Sequence, residues 1–258
     1  GAADRFSEAL TRVIPMPRNE TAMPAQWGAF RYNEATKTFA FVAATTKQID
    51  GVWFVMIRSY TNSVYAIVEN TVSFADVDEH WSRTFVELAA AKGLVDGTGD
   101  GRFEPDKAVT RAEFTAMLVR ALGLGISAGS AAPYDDVMLD TWYGDTVAKA
   151  KELGILDYVK GNRFRPDQPL TREEMSSMLA AVIALEKPSM TEGFTRLDGY
   201  KDIESVDAVV LEDIRLMVNL QIMIGTSDDT FGPKQEATRA QAAVVFVRTL
   251  QGLGMIDK

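Results

Sequence analysis

The sequence predicts a mainly α chain in which three helix-loop-helix repeats follow a small antiparallel β segment. Three observations lead there. One short phrase recurs as Thr110-Arg111-Ala112-Glu113, Thr171-Arg172-Glu173-Glu174 and Thr238-Arg239-Ala240-Gln241. Each copy follows a Phe-x-Pro (Phe103/Pro105, Phe164/Pro166, Phe231/Pro233) and, further upstream, an aromatic-x-Asp (Phe74/Asp76, Tyr134/Asp136, Tyr200/Asp202). Every anchor shifts by 60 or 61 residues to the second copy and by 66 or 67 to the third, and repetition of this kind dictates architecture before any local reading. The second observation is a helical apolar period behind each Thr-Arg, and the third is a change of texture before residue 73.

Residues 1–72 are rich in β-branched and aromatic residues at 39–42, 52–57 and 64–68, separated by Asp50-Gly51 and Thr61-Asn62-Ser63. That pattern predicts a small antiparallel meander. Three strands alone are marginal, so the segment is expected to be the end of a larger β-sandwich. Gly1-Ala2-Ala3-Asp4 reads as an interior cut and not as a natural start.

The apolar positions after each Thr-Arg are Phe114, Met117, Leu118, Ala121 and Leu122, then Met175, Met178, Leu179, Val182 and Ile183, then Ala242, Val245, Phe246 and Leu250. Each set forms one buried stripe of an amphipathic helix. A shorter helix precedes it in every repeat, with apolar pairs Val86/Ala89, Val147/Ala150 and Ile214/Met217. Gly93 and Gly154 are placed to end the first two in a left-handed cap, whereas the third repeat has Gln221 there. Linkers at Gly123–Pro133 and about 186–199 join the units. The three long stripes can hide one another in a central three-helix bundle with the short helices outside as prongs.

Composition narrows the function. A net charge of −9 argues against nucleic acid or an anionic membrane as the main partner, and no cysteine is present to form a disulfide or a thiolate metal site. No stretch is long and apolar enough to cross a membrane as a helix. Asp96-x-Thr98-x-Asp100-Gly101 is like the start of a calcium loop, but Lys107 stands where the bidentate acid belongs, so no metal is expected. His80 is the one histidine, and the acids form no single constellation suited to catalysis; no catalytic residue and no cofactor are expected.

Thr-x-x-Glu/Gln ahead of an apolar helix is a capping box, predicted for Thr110/Glu113, Thr171/Glu174 and Thr238/Gln241. The arginine inside it stands where the helix dipole disfavours a cation. Arg111, Arg172 and Arg239 therefore either clamp an anionic ligand together with the helix amides or pair with a carboxylate, Asp76, Asp136 and Asp202 being the candidates. Those aspartates could equally cap or close a turn. Trp81 and Trp142 match in repeats 1 and 2, where repeat 3 has Val209; each could be core or a platform for a sugar face. Gly97 and Gly225 would admit a ligand close to the backbone, and Tyr158 takes that place in repeat 2.

With these residues quoted, residues 74–250 resemble three tandem S-layer homology (SLH) repeats, about 74–122, 134–185 and 200–250. The resemblance implies a pseudo-threefold, three-pronged spindle over 73–258. It also implies non-covalent anchoring of a secreted bacterial surface protein at the cell wall or S-layer, without catalysis. The implied partner is an anionic secondary cell wall polysaccharide bearing pyruvylated N-acetylmannosamine, bound in grooves between repeats. Arg111, Arg172 and Arg239 would clamp its carboxylate, Asp76, Asp136 and Asp202 would accept sugar hydroxyls, Trp81 and Trp142 would pack on it, and Gly97 and Gly225 would donate backbone N–H groups. Val209 and Tyr158 depart from that pattern and imply a different groove. Nucleic acid and membrane insertion are not implied, and self-assembly would lie outside this chain. Two alternatives stay open: the wall-targeting module of a larger glycan-acting enzyme, and a helical protein-interaction module. The motif arginines are expected to be dispensable for folding, and the sequence leaves open which repeat's arginine meets which repeat's aspartate.

Overall fold

A computed structural model describes residues 5–17, 22–34, 36–123, 132–191, 197 and 199–258. Gly1 to Asp4, most of the first predicted linker and part of the second lie outside the described residues. Six strands come first: β1 (Arg5–Pro15), β2 (Trp27–Asn33), β3 (Thr38–Phe41), β4 (Ala43–Ile49), β5 (Val52–Thr61) and β6 (Val64–Glu69). Six helices follow: α1 (Arg83–Ala91), α2 (Arg111–Leu122), α3 (Gly144–Glu152), α4 (Arg172–Glu186), α5 (Ala208–Asn219) and α6 (Arg239–Gly252).

The mainly α expectation is thereby corrected: the described residues carry both classes in quantity, with two three-stranded antiparallel sheets ordered β1-β5-β4 and β3-β2-β6. The three predicted strands exist, but they do not form a meander. β5 belongs to one sheet and β3 and β6 to the other, so the Thr61–Ser63 turn leads from sheet to sheet. The strands that escaped the sequence reading, β1, β2 and β4, intersperse Thr, Arg, Glu and Gln among their apolar residues. Those polar residues dilute the apolar signal by which a strand is read. Asp50-Gly51 does turn the β4–β5 hairpin, with φ of 50° and 78° at the two positions, as a type I′ turn requires.

The chain divides into two compact units. One holds residues 1–105, 120–125 and 254–258; the other holds 106–119 and 126–253. In the first, Trp27, Ala29, Val42, Ala44, Val55 and Ile57 form the sandwich core. Its polar anchor is Lys92, just past α1, 3% exposed, with Nζ donating to Trp27 O at 3.3 Å and lying 4.2 Å over the Trp27 ring. Residues 256 and 257 lie along the β4 edge: Ile256 bridges Ala44 in parallel, and the Asp257 carboxylate accepts from Thr46 N and Oγ1 at 2.9 and 2.8 Å. Edge strands left open invite foreign pairing, and these contacts cover part of β4.

In the second unit the repeats meet through the backbone. Val109 N–H donates to Ala237 O, Ala237 N–H to Leu170 O, and Leu170 N–H to Val109 O, at 2.9, 2.8 and 2.9 Å. These three positions are equivalent in the repeats, so the ring is a closed threefold cycle. Capping boxes lock the helix that follows each one: Thr110/Glu113, Thr171/Glu174 and Thr238/Gln241 all exchange the reciprocal bonds. The shorter helices α1, α3 and α5 end alike. Gly93, Gly154 and Gln221 have φ of 70°, 76° and 55°, and the next N–H returns to Ala89 O, Ala150 O and Met217 O. Gln221 thus adopts the left-handed cap without the glycine that normally relieves it.

Candidate functional site

Each repeat builds the same small scaffold. The residue between Phe and Pro is left-handed in all three copies: Glu104, Arg165 and Gly232 have φ of 57°, 58° and 76°. That turn aims two successive N–H groups at one point, a nest for an anion, and the protein fills it itself. Asp76 accepts from Phe103 N and Glu104 N, both at 2.8 Å. Asp136 accepts from Phe164 N and Arg165 N at 2.8 and 2.9 Å, and Asp202 from Phe231 N and Gly232 N at 2.9 and 2.7 Å. Burial opposes the charge on Asp76 and Asp136, yet these amides, with Arg102 or Arg163 at 3.7 Å, hold both carboxyls below the ordinary value. The aspartates therefore serve their own repeats' loops.

The motif arginines reach into the next repeat. Their own N–H groups donate in a cycle, Arg111 to Gln168 O, Arg172 to Gln235 O and Arg239 to Lys107 O, at 3.0, 2.9 and 2.8 Å. Ala112 N and Glu173 N are taken by Pro166 O and Pro233 O, and the third helical amide by the capping threonine. In α2 and α4 the first three amides are thus occupied, leaving no free-amide anion hole of the kind that sequence reasoning joined to the arginines. The arrangement does settle the pairing: Arg111 lies beside repeat 2's Asp136, and Arg172 beside repeat 3's Asp202.

The guanidinium groups then diverge. Arg111, 8% exposed, donates Nη1 to Phe164 O at 2.7 Å and turns Nε and Nη2 onto the Glu174 carboxylate. Arg172, 5% exposed, donates Nε to Phe231 O at 3.0 Å and Nη2 to Ile224 O at 2.6 Å, with its guanidinium 4.8 Å over the Phe231 ring. Among the described residues no carboxylate comes within ion-pair distance of Arg172, and its Nη1 has no partner but is not sealed from solvent. Burial lowers the pKa of both. At Arg111 the Glu174 bond, with Tyr158 and Asp136 nearby, reverses the shift upward; at Arg172 the fields of Tyr200 and Asp202 do not. Both remain cations at any ordinary pH. Arg239 is half-buried and bonded.

Trp81 and Trp142 are 63% and 60% exposed, and Val209 at the matching place is 73% exposed, so none of the three is core. Trp81 leans on His80 at 5.3 Å, and His80 Nδ1 lies 2.7 Å from Ser82 Oγ. A Cβ on Gly97 would fall 2.7 Å from Arg102 O and from the Phe74 ring; one on Gly225 would fall 2.5 Å from Ser227 O and the Tyr200 ring. Both glycines are thus demanded by their own hairpins. Gly225 N–H donates to Tyr200 Oη at 3.0 Å, whereas Phe74 offers Gly97 no such hydroxyl. Tyr158 puts its ring 5.8 Å from the Arg111 guanidinium, and its buried Oη has no hydrogen-bond partner.

A groove of about 630 Å³ runs between the repeat 2 loop, α4 and α5, lined by Tyr158, Lys160, Ala181, Val209 and Asp213 among others. Sequence reasoning missed Asp213, whose carboxyl accepts from Ser177 Oγ at 2.6 Å and is pushed up by burial and by Glu212. It also missed the second role of Glu174. The signal for that was present, since Glu174 and Gln241 differ in charge, but as caps they are equivalent.

Three cyclically joined repeats, each with a buried or half-buried motif arginine and a self-filled aspartate nest, define a tandem repeat module. The S-layer homology domain family is matched over residues 73–115, 133–176 and 199–243, and the chain belongs to it. The chain is 28% identical to an amylopullulanase of Thermoanaerobacterium thermosulfurigenes over 90% of its own length and 12% of that protein's. It is 31% identical to the exoglucanase XynX of Acetivibrio thermocellus over 74% and 17% of the two chains. Against the S-layer protein sap of Bacillus anthracis the identity is 30%, over 70% and 22%. The chain thus spans less than a quarter of the length of these relatives. SLH domains are cell-wall anchoring modules of surface proteins, which places the chain at the bacterial cell surface. No helix among the described residues is long and apolar enough to cross a membrane.

Proposed function

We propose that the chain anchors its parent protein non-covalently by binding an anionic, pyruvylated secondary cell wall polysaccharide. The observation that supports this most is Arg172, a buried cation with no carboxylate at ion-pair distance among the described residues. A buried charge without a counter-ion is costly, and a ligand carboxylate at its open Nη1 would relieve that cost with a charge-assisted bond. Exposed Trp81 and Trp142 supply faces on which a sugar ring packs. Gly97 N–H and the motif arginines complete the set of ligand groups we assign, with Asp76, Asp136, Asp202 and Gly225 holding the loops and edges around them.

Sedimentation with purified wall polysaccharide, before and after removal of its pyruvate, tests the reading. Capture that survives depyruvylation unchanged would overturn the anionic clamp. A second reading concerns the parent: two of the three relatives named are glycan-acting enzymes of which this chain matches 12% and 17%. On that reading the module holds a catalytic domain, carried elsewhere in the parent, at the wall.

A further inference from the structure

We infer that the third helical residue of a repeat sets whether the arginine of the preceding repeat is open to a ligand carboxylate in repeats 2 and 3, so that Gln241 leaves Arg172 receptive while Glu174 closes Arg111. This rests on the anchoring reading. Glu174 has two tasks. Its Oε2 accepts from Thr171 N at 3.0 Å as the cap, and the same carboxylate faces Arg111 Nε at 3.3 Å and bonds Nη2. It sits side-on to the guanidinium, the geometry in which arginine takes any carboxylate. The protein's own acid therefore supplies the negative charge that a ligand acid would bring.

Gln241 performs only the first task. Its Oε1 accepts from Thr238 N at 3.4 Å, and it brings no charge to Arg172. Arg172 turns instead to two carbonyls, Phe231 O and Ile224 O, and the field of Asp202 reaches it without an ion pair among the described residues. A second barrier stands at Arg111 alone. Tyr158 fills the place of Gly97 and Gly225, with its ring against the guanidinium and its hydroxyl buried beside it.

Glutamate and glutamine cap equally well, so the deciding residue can be exchanged without losing the helix start. The test is calorimetric titration of the whole chain with two purified polymers, a wall polysaccharide bearing pyruvylated N-acetylmannosamine and a poly(glycerol phosphate). The pair distinguishes a carboxylate source from a phosphate source. For whichever polymer binds, Gln241→Glu is expected to weaken binding by about tenfold or more, as Arg172→Ala does. Glu174→Gln combined with Tyr158→Gly is expected to add a second site. Thermal melting of each variant verifies that it is folded. A folded Gln241→Glu chain that titrates like the parent overturns the inference and leaves the anchoring reading standing. A parent chain that binds neither polymer overturns both.

Discussion

Arg111 of the first repeat and Glu174 of the second form an ion pair with side chains only 10% and 14% exposed. The pair ties two repeats together at the point where their backbones also cross. Arg111→Ala would strand the Glu174 carboxylate and the Phe164 carbonyl in a largely dry site. Loss of one partner of a buried pair costs about 3 kcal/mol, so this substitution is expected to lower the urea midpoint markedly. The sequence-based expectation that the motif arginines are dispensable for folding is thereby replaced for Arg111. A double-mutant cycle with Glu174→Gln should recover much of the loss, and an additive cycle would refute the pairing.

Asp136 and Asp76 give the fold an acid limit. Both carboxyls titrate below their unfolded value in the native state because paired amides hold the anion. A depressed native pKa contributes stability that is complete above the unfolded pKa, near 3.9, and is lost as pH falls through the native value. Asp136→Asn should cost about 2 kcal/mol at pH 7, because two loop amides lose their charged acceptor. Its pH dependence between 5 and 3 should also be flatter than the parent's, as followed by urea unfolding. An unchanged slope would remove Asp136 from the acid limit.

Lys92 should act at the other end of the scale. Burial holds its ammonium pKa below the ordinary lysine value, with only the distant Asp257 charge opposing. The unfolded chain then binds more protons between the two pKa values, so stability rises with pH across that window. Lys92→Met keeps the stem's packing and is expected to be neutral or stabilising at pH 7. It should also abolish the alkaline rise. A large loss of stability would show instead that the Trp27 contact outweighs the burial.

Gln221 holds a left-handed φ of 55° where the other two repeats use glycine. Gln221→Gly is expected to raise stability by about 0.5–1 kcal/mol, and Gly154→Ala to lower it by a similar amount or more. Differential scanning calorimetry reads both. A destabilising Gln221→Gly would mean that the side chain, not the backbone, matters there.

Trp142 and Trp81 are expected to separate folding from binding. Their indoles are mostly in solvent, and exposed surface substitutions usually stay within about 0.5 kcal/mol. Trp142→Ala and Trp81→Ala should therefore melt like the parent and bind wall polysaccharide less well. Equal binding would demote both from platform to surface decoration.

Much of the repeat region was legible in the sequence. Capping boxes, apolar stripes and the Gly93 and Gly154 caps are short-range features, each written within a few residues of where it acts. The β segment was half legible. β5 and β6 announce themselves by aromatic density, but β1 and β4 are strands only because β5 lies between them, and a pairing partner does not show in a strand's own residues. The mainly α expectation fails for that reason.

By itself the sequence determined that there are three repeats, where each long helix starts, and that an arginine is placed three times against its helix dipole. Only the tertiary structure decided what each arginine meets. The cyclic order sends Arg111 to Glu174 and Arg172 toward Gln241's repeat, and it spends the helix amides on neighbouring carbonyls. Charge compensation depends on distance through space, and two Thr-Arg-x-Glu motifs end in different electrostatic surroundings because the chain closes the ring between them.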